Sequence, residues 1–126
     1  MTVIQARQLT TFQVAPDGRS VALNVTDEHA EPATLVFPSE CLNELLMTLP
    51  DIVHRALRLR FRDESMRVVY PVGTWDVERG QTAGQLIVTL RTPDGFAVSF
   101  SLPALELVRM ASRATGGDAP DGVVSN

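Results

Sequence analysis

Lysine is absent from the 126 residues, cysteine occurs once and histidine twice, and no apolar run approaches the roughly eighteen residues of a membrane span. The lone thiol, Cys41, excludes an internal disulfide and a cysteine-ligated zinc scaffold, since either needs more thiolates than the chain owns. The stretch Met1–Val14 carries Arg7 and polar residues throughout, so it lacks the apolar centre of a secretory signal. These absences lead to the expectation of a cytoplasmic protein with no membrane partner. Phosphate-cradling loops are missing as well: there is neither Gly-x-Gly-x-x-Gly nor Gly-Lys-Ser/Thr, and both expected helices start after proline. The net charge of -4 argues against a dedicated nucleic-acid binder, which ordinarily carries a positive excess. All basic residues are arginine, which offers a planar five-donor fork, although a genome-wide codon bias produces the same usage.

What remains is a globular composition. A chain of 126 residues with 44% hydrophobic and 21% charged content lies away from disordered, collagenous and coiled-coil classes, and it is long enough to enclose a core. Its most informative feature is an approximate internal repeat. Ser20 to Pro38 lies on Gln85 to Pro103 without a gap, at an offset of 65. Val21 meets Leu86, Leu23 meets Val88, Val25 meets Leu90, Leu35 meets Phe100 and Phe37 meets Leu102. The helical pattern that follows agrees too, with Leu42 on Leu107 and Leu45 on Met110. Upstream, Thr11, Phe12 and Val14 match Thr74, Trp75 and Val77 if the second copy has two extra residues. Identities are few, so duplication competes with two similar supersecondary units.

Each unit reads as three strands and a helix. Gln8 to Val14 alternates and runs into Pro16-Asp17-Gly18, a turn in which Pro sets the first φ and Gly can take a positive one. Val21 to Val25 and Ala33 to Phe37 complete the first set of strands. In the second unit, Arg67 to Val77 reads as a long strand open to interruption at Pro71 and Gly73, and Leu86 to Leu90 and Ala97 to Leu102 flank the turn Thr92-Pro93-Asp94-Gly95. Ser39 is placed to accept hydrogen bonds from the first free helix amides, and Leu42, Leu45, Leu46 and Leu49 form an apolar stripe for the sheet. Ala104 to Ala114 repeats this with Leu107, Met110, Ala111 and Ala114. Between the units, Ile52, Val53, Ala56 and Leu57 have helical spacing, while Leu57, Leu59 and Phe61 alternate with Arg58, Arg60 and Arg62 at strand spacing. The favoured compromise is a short helix from Asp51 to about Arg58, then an extended piece ending at the turn Asp63-Glu64-Ser65.

The fold expected is therefore α+β: two layers, a mainly antiparallel six-stranded sheet covered on one face by two or three helices, from two approximate βββα repeats. One domain spans residues 1–114, with units at about 3–49 and 66–114 linked by 50–65 and a disordered tail over 115–126. Trp75, opposite Phe12 in the repeat, is expected in the core. The outer sheet face, with Ala22, Val36, Ile87 and Ala97 among polar residues, is apolar enough in parts to meet a partner.

Candidate chemistry is sparse. Cys41 near a helix start could be an activated thiol, but it borders the apolar stripe, as an inert packed thiol would. The stretch Asp27-Glu28-His29-Ala30-Glu31 could catch a divalent ion, yet no second cluster of ligands supports it and a solvated turn looks the same. The sharpest feature is the arginine run, Arg55, Arg58, Arg60, Arg62 and Arg67, set against Asp51, Asp63 and Glu64. On a strand, Arg58, Arg60 and Arg62 would share one face about 7 Å apart, in reach of successive anionic groups. A charged edge strand guarded against aggregation has the same sequence. The functional expectation is a non-catalytic binding or protein-interaction module, a homodimer or the ligand of another protein, without cofactor or metal. The alternative is anionic-ligand or nucleic-acid binding through Arg58, Arg60 and Arg62.

Overall fold

The computed structural model describes residues 1–116, and the chain divides into two compact units, Met1–Val68 and the residues from Val69 onward. In the first, β1 (Ala6–Val14), β2 (Ser20–Asp27) and β3 (Pro32–Pro38) lead into α1 (Ser39–Phe61). In the second, β4 (Thr74–Arg79), β5 (Gln85–Arg91) and β6 (Ala97–Pro103) lead into α2 (Ala104–Ala114). The expected α+β architecture of two βββα repeats stands. Its six strands are hydrogen-bonded three and three, in the orders β1-β2-β3 and β4-β5-β6, in place of one ladder of six. Short hairpin turns keep consecutive strands adjacent and antiparallel, which fills both sides of β2 and β5 within each unit.

The repeat holds at the level of hydrogen bonds. Ser20 pairs with Pro38 and Gln85 with Pro103; Leu23 pairs with Leu35 and Val88 with Phe100. The first hairpin closes with Ala15 N–H donating to Ser20 O at 3.0 Å, and its counterpart closes with Gly80 N–H donating to Gln85 O at 2.8 Å. Each helix starts beneath that hairpin: Ser39 N–H reaches Arg19 O at 3.0 Å, and Ala104 N–H reaches Gly84 O at 2.8 Å. The second turns also correspond. Asp27 N–H bonds to Glu31 O and Thr92 N–H to Phe96 O, with a left-handed residue at Ala30 (φ 64) or Gly95 (φ 101). The amide of Glu31 donates to Asp27 Oδ1, and that of Phe96 to Thr92 Oγ1.

Strand pairing corrects the upstream match. Val14 opposite Val21 answers Arg79 opposite Leu86, and Phe12 opposite Leu23 answers Val77 opposite Val88. The offset of 65 therefore continues into β1, and Phe12 corresponds to Val77. A register shift between Leu9 and Thr11 then brings Leu9 opposite Val25, which makes Leu9 the counterpart of Trp75 opposite Leu90. The irregularity is a bulge in β1; no insertion in the second copy is needed.

Three further readings are corrected. Ser39 does not cap α1; Pro38 does, in an extended conformation, while the Ser39 hydroxyl donates to Gly18 O at 2.6 Å. The strand expected over Arg67 to Val77 begins only at Thr74, because proline at 71 has no N–H to give a ladder; Gly73 N–H alone extends the pairing, to Arg91 O at 2.7 Å. The largest difference is α1, which runs unbroken from Ser39 through Pro50 to Phe61. Of the two competing periodicities in residues 51–62, the helical one prevails, since Leu and Arg favour helix and the helix continues to the bond from Arg62 N–H to Arg58 O. Arg62 ends it in the left-handed region at φ 54, its N–H bonded to Arg58 O. Of the expected tail, Thr115 closes α2 by bonding to Ala111 O, and residues 117–126 lie outside those described.

Candidate functional site

Cross-strand partners share a face, so the register separates two surfaces in each sheet. In the first unit one face carries Phe12, Val14, Val21, Leu23, Leu35 and Phe37; the other carries Thr11, Asn24 and Thr34 in a row. That polar row is tied together: Asn24 Nδ2 donates to Thr11 Oγ1 at 2.7 Å, and Thr34 Oγ1 donates to Asn24 Oδ1 at 2.8 Å. The second unit repeats the division, with Trp75, Val77, Val88, Leu90, Val98 and Phe100 on one face and Asp76, Thr89 and Ser99 on the other. Thr89 and Ser99 share a hydrogen bond of 2.8 Å between their hydroxyls.

The apolar faces are where the burial departs from expectation. Among the described residues only Val21 (9% exposed) and Val25 (7%) are buried hydrophobics, and neither helix contributes a buried side chain. Leu42, Leu45 and Leu107 are half-buried, but Leu46, Leu49 and Met110 are exposed, so each stripe meets its sheet only over the first turns of its helix. Phe12 is 68% exposed, Trp75 70% and Phe100 57%. The core role expected for Trp75 is thus not met: the ring stands on the edge strand β4, with solvent over most of it. At the end of the second sheet, Tyr70, Val72, Leu90, Phe96, Val98 and Phe100 line an apolar hollow of about 200 Å³, with the Tyr70 and Phe96 ring centroids 5.7 Å apart.

The arginines are placed differently from the strand reading. Arg58 and Arg60 lie on the last turns of α1 and Arg62 at its C-cap. At 3.6 residues per turn Arg60 points away from Arg58 and Arg62, whereas Arg55, one turn earlier, joins them on one side. Arg55, Arg58, Leu59, Arg62 and Glu64 line an open cleft of about 520 Å³. Arg60 instead lies over the Phe61 ring, 5.2 Å from its centroid. Past the cap the chain folds back through Asp63-Glu64-Ser65, and Arg58 Nε donates to Met66 O at 3.0 Å. Asp63 turns inward on its own loop, accepting from Ser65 N–H at 2.9 Å and Ser65 Oγ at 2.6 Å, and these bonds hold its carboxyl below the usual carboxylate range. The signal that groups Arg55 of the run with Arg58 and Arg62 is their i, i+3, i+7 spacing, masked by the alternation of residues 57–62.

Other candidates are dispersed. Cys41 and His54 sit on one helix thirteen residues apart (41 to 54), which is roughly 20 Å along its axis. Asp27 spends Oδ1 on the amides of His29 and Glu31, as a turn residue does. No group of three metal-ligating side chains converges among the described residues, and no helix there is long and apolar enough to cross a membrane. No family model matches the chain, and neither a curated protein nor a solved structure is similar to it.

Proposed function

We propose that the protein is a non-catalytic self-association module, and that a second copy of the chain covers its apolar sheet faces. The observation that carries this reading is the exposure of Phe12, Leu9 and Val14 on one sheet and of Trp75, Phe100, Leu90 and Val77 on the other. These side chains leave roughly 300 Å² of apolar surface on the first face and roughly 400 Å² on the second, against the ~800 Å² that each partner gives to a standard interface. Isologous dimers need a patch that is complementary to itself, and a face repeated in register within one chain supplies matched surfaces. The opposite faces, where partner contact is expected from the sequence for Ala22, Val36, Ile87 and Ala97, are a poorer partner surface: Val36 is exposed there, but the neighbouring polar side chains already satisfy one another through Thr11, Asn24, Thr34, Thr89 and Ser99. The same reading places the protein in the cytoplasm, where a single unpaired cysteine is ordinary.

Sedimentation equilibrium between about 1 and 100 µM is the test. The expected mass is twice 13.7 kDa, falling to the single-chain value in Trp75→Arg and Phe12→Arg while the far-ultraviolet dichroism of each variant stays that of the parent. A parent that sediments as one chain at every concentration overturns the proposal and assigns the covering of these faces to the chain itself. Capture of a different protein by a parent that stays single-chain also overturns the proposal, and assigns the covering to that partner.

A further inference from the structure

We infer that the C-terminal end of α1 carries a binding site for a compact, multiply charged oxyanion, formed by Arg55, Arg58 and Arg62. The three guanidinium groups line one cleft of about 520 Å³, together with the Leu59 side chain and a single acid, Glu64. Among the described residues the ion pairs are His29 with Glu28 and Arg109 with Glu106, so none of the cleft arginines is neutralised by a partner. Asp63, in the turn after the helix, spends Oδ1 on Ser65, and Asp51, one turn before Arg55 on α1, makes no ion pair with it. Three unpaired cations around one concavity repel one another, and an anion placed among them relieves that repulsion.

Arg58 is the built part of the site. Its Nε–H is fixed on Met66 O, which leaves the four terminal N–H donors of a half-buried, oriented fork. Planar forks of this kind bind phosphate oxygens in pairs, and an orientation fixed in advance reduces the ordering cost of binding. Arg62 is held at the cap by its own backbone bond to Arg58 O, so the two side chains leave the same turn. The position at a helix C-terminus also suits the cations themselves, since the last carbonyls carry partial negative charge.

The cleft favours a phosphate or diphosphate group over a nucleic-acid strand. No aromatic ring lines it, so bases have nothing to stack on; the Phe61 ring lies under Arg60. Glu64 at the rim and the net charge of -4 oppose a long polyanion more than a short one. Free diphosphate and the diphosphate of a nucleotide present the same chemistry to the arginines.

Calorimetric titration of the full chain with inorganic pyrophosphate, and separately with ADP, tests the site at about 50 and 300 mM salt. Saturable binding that weakens with salt is expected, together with a loss of about tenfold or more in Arg55→Gln and in Arg62→Gln. Arg60→Gln, on the opposite side of the helix, is expected to bind within about twofold of the parent. ADP binding as tightly as pyrophosphate assigns recognition to the phosphates; markedly tighter ADP binding adds a base contact beyond the cleft while keeping the arginine dependence. No binding of either compound at millimolar concentration overturns the inference. So does an Arg60→Gln loss equal to that of Arg55→Gln, or a mixed-sequence oligonucleotide that binds more tightly than pyrophosphate. Because the apolar sheet faces take no part in the site, Trp75→Arg is expected to keep pyrophosphate affinity, which separates failure here from failure of the dimer.

Discussion

The two units share a backbone and differ in almost every side chain that decorates it. Asp27 and Thr92 accept the same amide with different groups, Ala30 and Gly95 take the same left-handed conformation, and Ser39 and Ala104 donate the same N–H. What recurs is the set of backbone bonds, fixed by turn length and by the alternation of apolar residues. What differs is at the ends. β1 has two register shifts against its neighbour where β4 has none, and α1 runs 23 residues where α2 runs 11. The arginine cleft lies on that extra length and the cap and turn that close it, so the first unit bears a feature for which the second has no counterpart. The comparison teaches that the βββα frame is common to both halves, while the candidate ligand site is an addition to one of them.

Several substitutions break or sharpen this comparison, with unfolding followed at fixed protein concentration because self-association adds to apparent stability. The largest effect is expected at Pro50, which lies inside α1 without an N–H to donate. Pro50→Ala is expected to raise the unfolding free energy by up to about 3 kcal/mol in urea titrations, with no equivalent gain available in α2. A loss of stability would mean that the proline sets a bend on which α1 depends. Next come the paired left-handed positions. Gly95→Ala, at φ 101 with open space where the new Cβ would lie, is expected to cost about 1 to 3 kcal/mol through backbone strain. At the equivalent place Ala30→Gly removes such strain and is expected to gain up to about 1 kcal/mol. Equal and small effects at both positions would undo the correspondence of the two turns.

The smallest effect lies beside the cleft. Ser65→Ala removes the hydroxyl that lowers the Asp63 carboxyl, so the carboxyl is expected to titrate closer to its ordinary value of 3.8, read from its carbon chemical shift against pH. A carboxyl depressed in the folded state contributes stability above its unfolded value, and that contribution disappears as pH falls through the folded value. The variant therefore should differ from the parent at neutral pH and converge with it in acid. An unshifted carboxyl would show that the Ser65 amide alone holds Asp63.

Much of this was legible in advance for identifiable reasons. Strands β2, β3, β5 and β6 carry strict alternation between turns whose Asp, Pro and Gly admit few conformations, so their placement needed only local chemistry. Helix α2 was legible because its proline entry and apolar period agree. Residues 51–62 were not, since Leu57, Leu59 and Phe61 satisfy a strand period while Ile52, Val53, Ala56 and Leu57 satisfy a helical one; local pattern supports both. The grouping of the arginine run follows that ambiguity: a strand period selects Arg60 with Arg58 and Arg62, and a helical one selects Arg55. Trp75 resembles Phe12 only in being aromatic; strand pairing makes Leu9 its counterpart, across a bulge that leaves no mark in composition, and neither ring is covered.

The sequence alone determined the strand and turn order, the in-register repeat and the polarity of each sheet face, because these depend on residues near one another along the chain. Only the tertiary structure decided that α1 passes through Pro50, that Arg55 rather than Arg60 joins Arg58 and Arg62, and that Phe12 and Trp75 stand uncovered. Those outcomes depend on which competing period wins and on what packs against a face. The second is settled by contacts between distant residues, which no local pattern encodes; the first turns on a continuous helical backbone that counting periods does not weigh.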